Sequence, residues 1–111
     1  MSLNIFQRRA VTKTLLSDLD RSGLTRDEVA ADLRITTDQL DLAIRMARGG
    51  DPTHVWLVRD YLHQAVIDSG GEPTEHTVLT EASRAKARQW FTMTTPPRHD
   101  FSAVTARGEA R

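Results

Sequence analysis

Two capping-box patterns stand close together in this chain, Thr25 with Glu28 and Thr36 with Gln39. In such a box the threonine hydroxyl accepts from the N3 backbone N–H, and the N3 side chain returns to the N-cap N–H, so each box marks a helix start. The span between the two boxes holds one short helix and one tight connection. Val29, Ala30 and Leu33 form the inner stripe of the first helix; Leu40, Ala43, Ile44 and Ala47 form that of the second. Ala30 falls where the two helices come closest, which gives a small side chain a packing reason. Ile35 is placed to plug the gap beneath the turn. Residues 24–44 therefore read as a helix-turn-helix.

The rest of the chain extends this into an all-α bundle of four to five helices. Residues 4–21 form helix 1, with Ile5, Val11, Leu15, Leu16 and Leu19 on one broad face, ended by Gly23. Helix 2 covers 26–33 and helix 3 covers 37–48, closed by Gly49-Gly50. Asp51-Pro52 opens helix 4, which runs to 68 before Gly70-Gly71. Val55, Val58, Leu62, Ala65 and Val66 make its main stripe; Trp56 and Ile67 lie on a neighbouring face, with Asp60 and His63 between. A helix apolar on two faces is central in its domain or shared with a partner. Residues 72–79 read as a loop anchored by Val78 and Leu79. Residues 80–91 form helix 5, capped by Thr80 and ending in Trp90-Phe91. One domain thus spans 1–93, and 94–111, with little to bury, reads as a flexible C-terminal tail.

Composition narrows the chemistry. The 111 residues contain no cysteine, which excludes disulfides, thiolate catalysis and sulfur-ligated metals. No apolar run approaches a membrane span and the first residues lack a signal-peptide core, so the expected location is the cytoplasm. Fifteen basic and fifteen acidic side chains cancel, whereas a dedicated DNA-binding domain is usually basic. Any nucleic-acid surface must then be a local patch.

Two resemblances attach to these residues. The segment 12–66 is similar to the helix-turn-helix of lambda-repressor-like regulators. In addition, Met1-Ser2-Leu3-Asn4, Ser22-Gly23-Leu24-Thr25, Glu28-Val29-Ala30-Ala31-Asp32-Leu33, Trp56-Leu57-Val58-Arg59-Asp60-Tyr61-Leu62, Thr77-Val78-Leu79 and Trp90-Phe91 resemble a family of small bacterial proteins catalogued as a domain of unknown function. That likeness spans residues 1–92 in order. It implies a stand-alone helix-turn-helix-like protein and no established activity. Two departures stand out. Arg34 occupies the turn position where such motifs carry glycine, at a cost of about 1 kcal/mol if the residue is left-handed. The stretch before Trp90 is rich in alanine and arginine where the family carries glycine and aromatics.

The site expectations follow from the motif. Helix 3 enters the major groove, with Gln39 and Arg45 suited to adenine and guanine edges, and Thr37, Arg26 and Arg34 suited to the backbone. Asp38, Asp41, Leu42 and Met46 share that outer face. Arg8, Arg9 and Lys13 are further phosphate contacts or merely solvated cations. Early aspartates and late arginines also suit the helix macrodipole with no ligand at all. Trp56, Ile67, Trp90 and Phe91 are the surplus apolar side chains expected at a homodimer interface. The competing reading makes the motif a scaffold, with the Leu42–Met46 ridge, Trp56 and Trp90 binding a protein partner. His54, His63, His76 and His99 show no mutual ligand spacing, so no metal or other cofactor is expected. Arg84, Lys86 and Arg88 read as an exposed basic face, and Asp60 with His63 as a surface salt bridge. No motif supports an enzyme.

Overall fold

The computed structural model describes residues 3–101 and contains, among them, five helices and no strand. These are α1 (Ile5–Ser22), α2 (Arg26–Leu33), α3 (Thr37–Ile44), α4 (Pro52–Asp68) and α5 (Glu81–Ala87). Both expected capping boxes form. The Thr25 hydroxyl accepts from the Glu28 N–H at 3.1 Å, and the Thr36 hydroxyl from the Gln39 N–H at 3.0 Å. A third box, Asn4 with Gln7, opens α1. Asp51 caps α4 through Thr53, with Pro52 in the first turn where no N–H is needed.

Helices α1 and α4 pack together, α3 lies against both, and α2 packs on α3. The core draws on all four. Val11 and Leu15 come from α1, Val29 and Leu33 from α2, Leu40, Ala43 and Ile44 from α3, and Val55, Val58, Tyr61, Leu62 and Ala65 from α4. The inner stripes of α2 and α3 and the main stripe of α4 are thus buried as expected, while Ala47 is only partly covered. On α1 the expectation was too broad. Ile5 is 55% and Leu16 39% exposed, because α1 buries only the narrower line through Val11, Leu15, Asp18 and Ser22.

The α2–α3 connection is three residues long. Arg34 adopts φ 57° and ψ 41°, its N–H bonds the Ala31 carbonyl, and the Ile35 N–H bonds the Ala30 carbonyl at 3.1 Å. This is a Schellman closure with arginine in the left-handed position normally given to glycine. Ile35 packs partly buried against the core beneath it.

Helix α3 ends four residues before the expected 48. Met46 turns left-handed at φ 52°, and the Ala47 N–H reaches back to the Leu42 carbonyl at 3.0 Å. Helix α1 takes the carbonyl at the end of α3 and one just beyond: the Thr12 hydroxyl donates to Ile44 O at 2.7 Å, and Arg8 Nη2 to Met46 O at 2.6 Å. With those acceptors satisfied from outside, the chain turns before Gly49-Gly50 is reached. Helix α5 is likewise shorter than expected, and Trp90 and Phe91 follow it.

Of the expected tail, residues 94–100 carry no helix. Arg98 and His99 tie them to the bundle. Arg98 Nε donates to Asp68 at 3.0 Å, and His99 Nδ1 lies 2.6 Å from Asp32 Oδ2, which also accepts from Tyr61 at 2.5 Å. Residues 102–111 lie outside the described residues.

The left-handed arginine yields a test. Arg34→Asn, which tolerates this conformation without adding glycine's unfolded-state entropy, is expected to stabilise the protein by roughly 0.5–1 kcal/mol. Thermal denaturation should show a melting point about 2–5 °C higher. An unchanged or lowered value would mean that the Arg34 side chain compensates its backbone.

Candidate functional site

Helix α3 presents its first turn to solvent. Thr36, Thr37, Asp38 and Gln39 are all exposed, as are Arg34 before them and Arg45 at the C-cap. Arg34 and Arg45 form no ion pair among the described residues. Arg26 does: Nη1 lies 3.1 Å from Asp41 Oδ1, a half-exposed bridge joining the start of α2 to α3. Such a pair contributes about 0–1 kcal/mol and can exchange for another anion. The Gln39 side-chain oxygen accepts from the Thr36 N–H at 2.8 Å, so reading a base with its whole amide means giving up that cap.

Beside the end of α3 lies a shallow depression of about 640 Å³. Its cationic lining consists of Arg8, Arg9 and Lys13 from α1 and Arg45 from α3, interleaved with Ile5, Leu16 and Met46. No carboxylate lines it. A chain neutral overall therefore carries a local concentration of positive charge where α3 ends.

A second and larger groove, about 690 Å³, runs between α3 and α5. Leu42, Met46, Val55, Trp56, Leu79, Ala87, Trp90 and Phe91 supply most of its surface, with Arg8 and Lys86 also contributing. It unites the Leu42–Met46 ridge with three of the four expected interface aromatics and aliphatics: Trp56, Trp90 and Phe91. These differ in availability. Trp90 is 71% exposed and Ile67, outside the groove, 45%; Phe91 is partly buried; Trp56 is only 6% exposed. Trp56 is therefore a buried wall of the monomer and not a free face.

The burial of Trp56 has a definite cause. Arg84 of α5 sits over its ring at 5.0 Å and Arg59 at 5.9 Å. Arg84 grips Asp60 with both terminal nitrogens, Nη1 at 2.8 Å from Oδ2 and Nη2 on Oδ1. Arg59 adds a bond to Asp60 at 2.9 Å and donates Nε to Leu79 O at 3.0 Å. This network docks α5 and the preceding loop on α4. Arg84 thus does not belong to an exposed basic face, although Lys86 and Arg88 are exposed. Nor does Asp60 pair with His63. Burial alone would raise the Asp60 pKa, but the hydrogen bonds from Arg84 and Arg59, aided by their charges, outweigh it and hold the carboxyl below its ordinary value.

His63 instead meets His76 from the α4–α5 loop, their ring centroids 5.9 Å apart, next to the fully buried Asp18 of α1. Among the described residues these three side chains are the set able to hold a metal ion. Sequence spacing missed them because they come from three separate elements. One signal was present: Asp18 falls on the buried stripe of α1, where the helical period calls for an apolar residue. No helix of the described residues is long and apolar enough to cross a membrane.

A folded-state pKa depressed below the unfolded one contributes stability above the unfolded value, near pH 4, and loses it as pH falls through the folded value. Asp60→Asn is accordingly expected to cost about 2 kcal/mol at pH 7, leaving two guanidinium groups short of their acceptor. Melting curves should drop by roughly 8–10 °C at pH 7, and the difference from the wild type should shrink below about pH 4. A loss that is the same at pH 3 and pH 7 would remove the charge from the explanation.

Comparison with known proteins gives one assignment. A search of curated proteins and a search of solved structures each returned no significant match. A family model matches residues 1–93, so that the match covers all five helices and stops just after Phe91. By that match the chain belongs to the bacterial family described as "Uncharacterized protein conserved in bacteria (DUF2316)".

Proposed function

We propose that the protein is a small DNA-binding regulator of the helix-turn-helix type, acting in the cytoplasm. The observation that carries this reading is the carboxylate-free depression formed by Arg8, Arg9, Lys13 and Arg45 at the end of α3. Phosphate neutralisation supplies much of the affinity of any duplex binder, and a neutral chain needs its cations gathered to achieve it. The exposed first turn of α3 supports the same reading, since it leaves Asp38 and Gln39 free to approach base edges and Thr37 and Arg34 free to approach the backbone. Arg26 joins the contact by exchanging Asp41 for a phosphate. Of the two readings of Arg8, Arg9 and Lys13, their gathering with Arg45 favours phosphate contact over solvated cations.

The test is fluorescence anisotropy with a labelled random-sequence duplex at low and moderate salt. Binding in the micromolar range should weaken steeply as salt rises. Lys13→Gln and Arg45→Gln should each weaken it and lower the salt slope by about 1. No binding at low salt would overturn the reading.

A second reading rests on the 690 Å³ groove and makes the bundle an interaction module whose first partner is another copy of the chain. The exposed Trp90 at the groove, the exposed Ile67 and, on α1, the exposed Ile5, Phe6 and Leu16 are apolar side chains left over for association. Sedimentation equilibrium at tens of micromolar should then give a dimer, and Leu42→Asp, which puts a charge into the groove, should leave monomer. A wild type that stays monomeric would dismiss association through this face. A Leu42→Asp protein that is folded and monomeric yet still binds duplex would separate the two readings, whereas loss of both together would make dimerisation part of DNA binding.

A further inference from the structure

Asp18, His63 and His76 sit where three separate elements meet: α1, α4 and the α4–α5 loop. One atom of each, the Asp18 Oδ2, His63 Nδ1 and His76 Nε2, is buried and has no hydrogen-bond partner. One ligand atom from each of the three side chains lies within 4.8 Å of the other two, and His76 Nε2 is 3.8 Å from Asp18 Oδ2. Buried polar atoms are almost always paired, so three orphans within one cluster of three side chains require an explanation.

Pairing among themselves does not provide it. At 3.8 Å the His76–Asp18 approach is too long for a hydrogen bond. The carboxylate itself is fixed in place. Its Oδ1 accepts from the Thr74 N–H at 2.7 Å, and the Thr74 hydroxyl bonds Ser17 at 2.9 Å, which leaves Oδ2 directed at the imidazoles. The Asp18 and His76 side chains are 0% and 6% exposed, so water screens the charge poorly.

We propose that Asp18, His63 and His76 form a binding site for a divalent transition-metal ion of the zinc type, clamping the α4–α5 loop to α1 and α4. Two imidazole nitrogens and one carboxylate oxygen are a borderline N/O donor set suited to Zn²⁺ or Co²⁺. Bonds of about 2.0–2.2 Å put tetrahedral ligand atoms about 3.3 Å apart, so a triangle with sides within 4.8 Å closes by at most about 1.5 Å on loading. The fourth position is left to solvent or an exogenous ligand. Thr74, through its N–H on Oδ1, is a positioning residue that orients the carboxylate. The clamp acts on the segment that carries Val78 and Leu79 into the core, and through Leu79 on the floor of the groove.

The experiment uses the full chain, freed of any affinity tag and stripped with chelator, titrated with Co²⁺ followed in the visible range and with Zn²⁺ followed by calorimetry. One equivalent should bind, with an intense tetrahedral Co²⁺ spectrum that Zn²⁺ displaces. Free Zn²⁺ a hundredfold above its dissociation constant should raise the melting temperature by roughly 10 °C. His63→Gln and His76→Gln should keep the helical circular-dichroism spectrum and weaken binding at least about tenfold. Asp18→Asn tests the carboxylate but removes a buried charge as well, so the two histidine variants decide if it fails to fold. Absence of a Co²⁺ spectrum and of a melting shift in the wild type would overturn the proposal. So would binding that both histidine variants retain.

Discussion

Helices of eight residues are too short to persist alone in water, since nucleation costs more than two turns of hydrogen bonding return. Helices α2 and α3 exist because Val29, Leu33, Leu40 and Ile44 are pressed into a core whose largest share comes from α4. Everything on the outer surface of α3 depends on that burial. Capping at both N-termini and Schellman closures at both C-termini satisfy the backbone groups that so short a pair leaves unbonded. The left-handed Arg34 and Met46 are tolerated because the same burial over-determines the turns around them.

The parts of this fold that were legible in sequence are those whose causes are local. A threonine and the residue three positions later report a helix start regardless of what the helix packs against, and both boxes form. The Asp51-Pro52 start of α4 and its apolar stripe are local in the same sense. The end of α3 was not legible, because the carbonyls at and just beyond it are captured by Thr12 and Arg8 of α1, 32 and 38 residues away. The same holds for Trp56. Its spacing marks it as surplus to the main stripe, and only the arrival of Arg84 from α5 turns that surplus into a buried wall. His63 shows the limit most plainly, since one turn from Asp60 it looks paired, yet each side chain finds a different partner from the α4–α5 region.

Charge balance over the whole chain concealed an uneven surface. Asp60 neutralises Arg84 and Arg59, Asp68 holds Arg98, and Asp41 holds Arg26. With those carboxylates committed to structural pairs, the α1 cations and Arg45 are left beside one another with no acid in their depression. Net charge describes long-range attraction, whereas binding at contact depends on which charges remain uncompensated nearby.

The basic depression and the apolar groove are not independent. Arg8, Met46 and Ala47 line both, so the turn that ends α3 is the wall between them. Arg8 is fastened to that wall by its bond to the Met46 carbonyl, and Arg45 immediately precedes it. An occupant that displaces the Met46 side chain from the groove side must therefore push on a left-handed residue whose carbonyl anchors a cation of the opposite face. Coupling through a shared, strained turn needs no long pathway, only a difference in the occupant's affinity for the two positions of the wall. If the depression takes an anion and the groove an apolar group, the turn at residues 45–47 is where the two would meet in free energy.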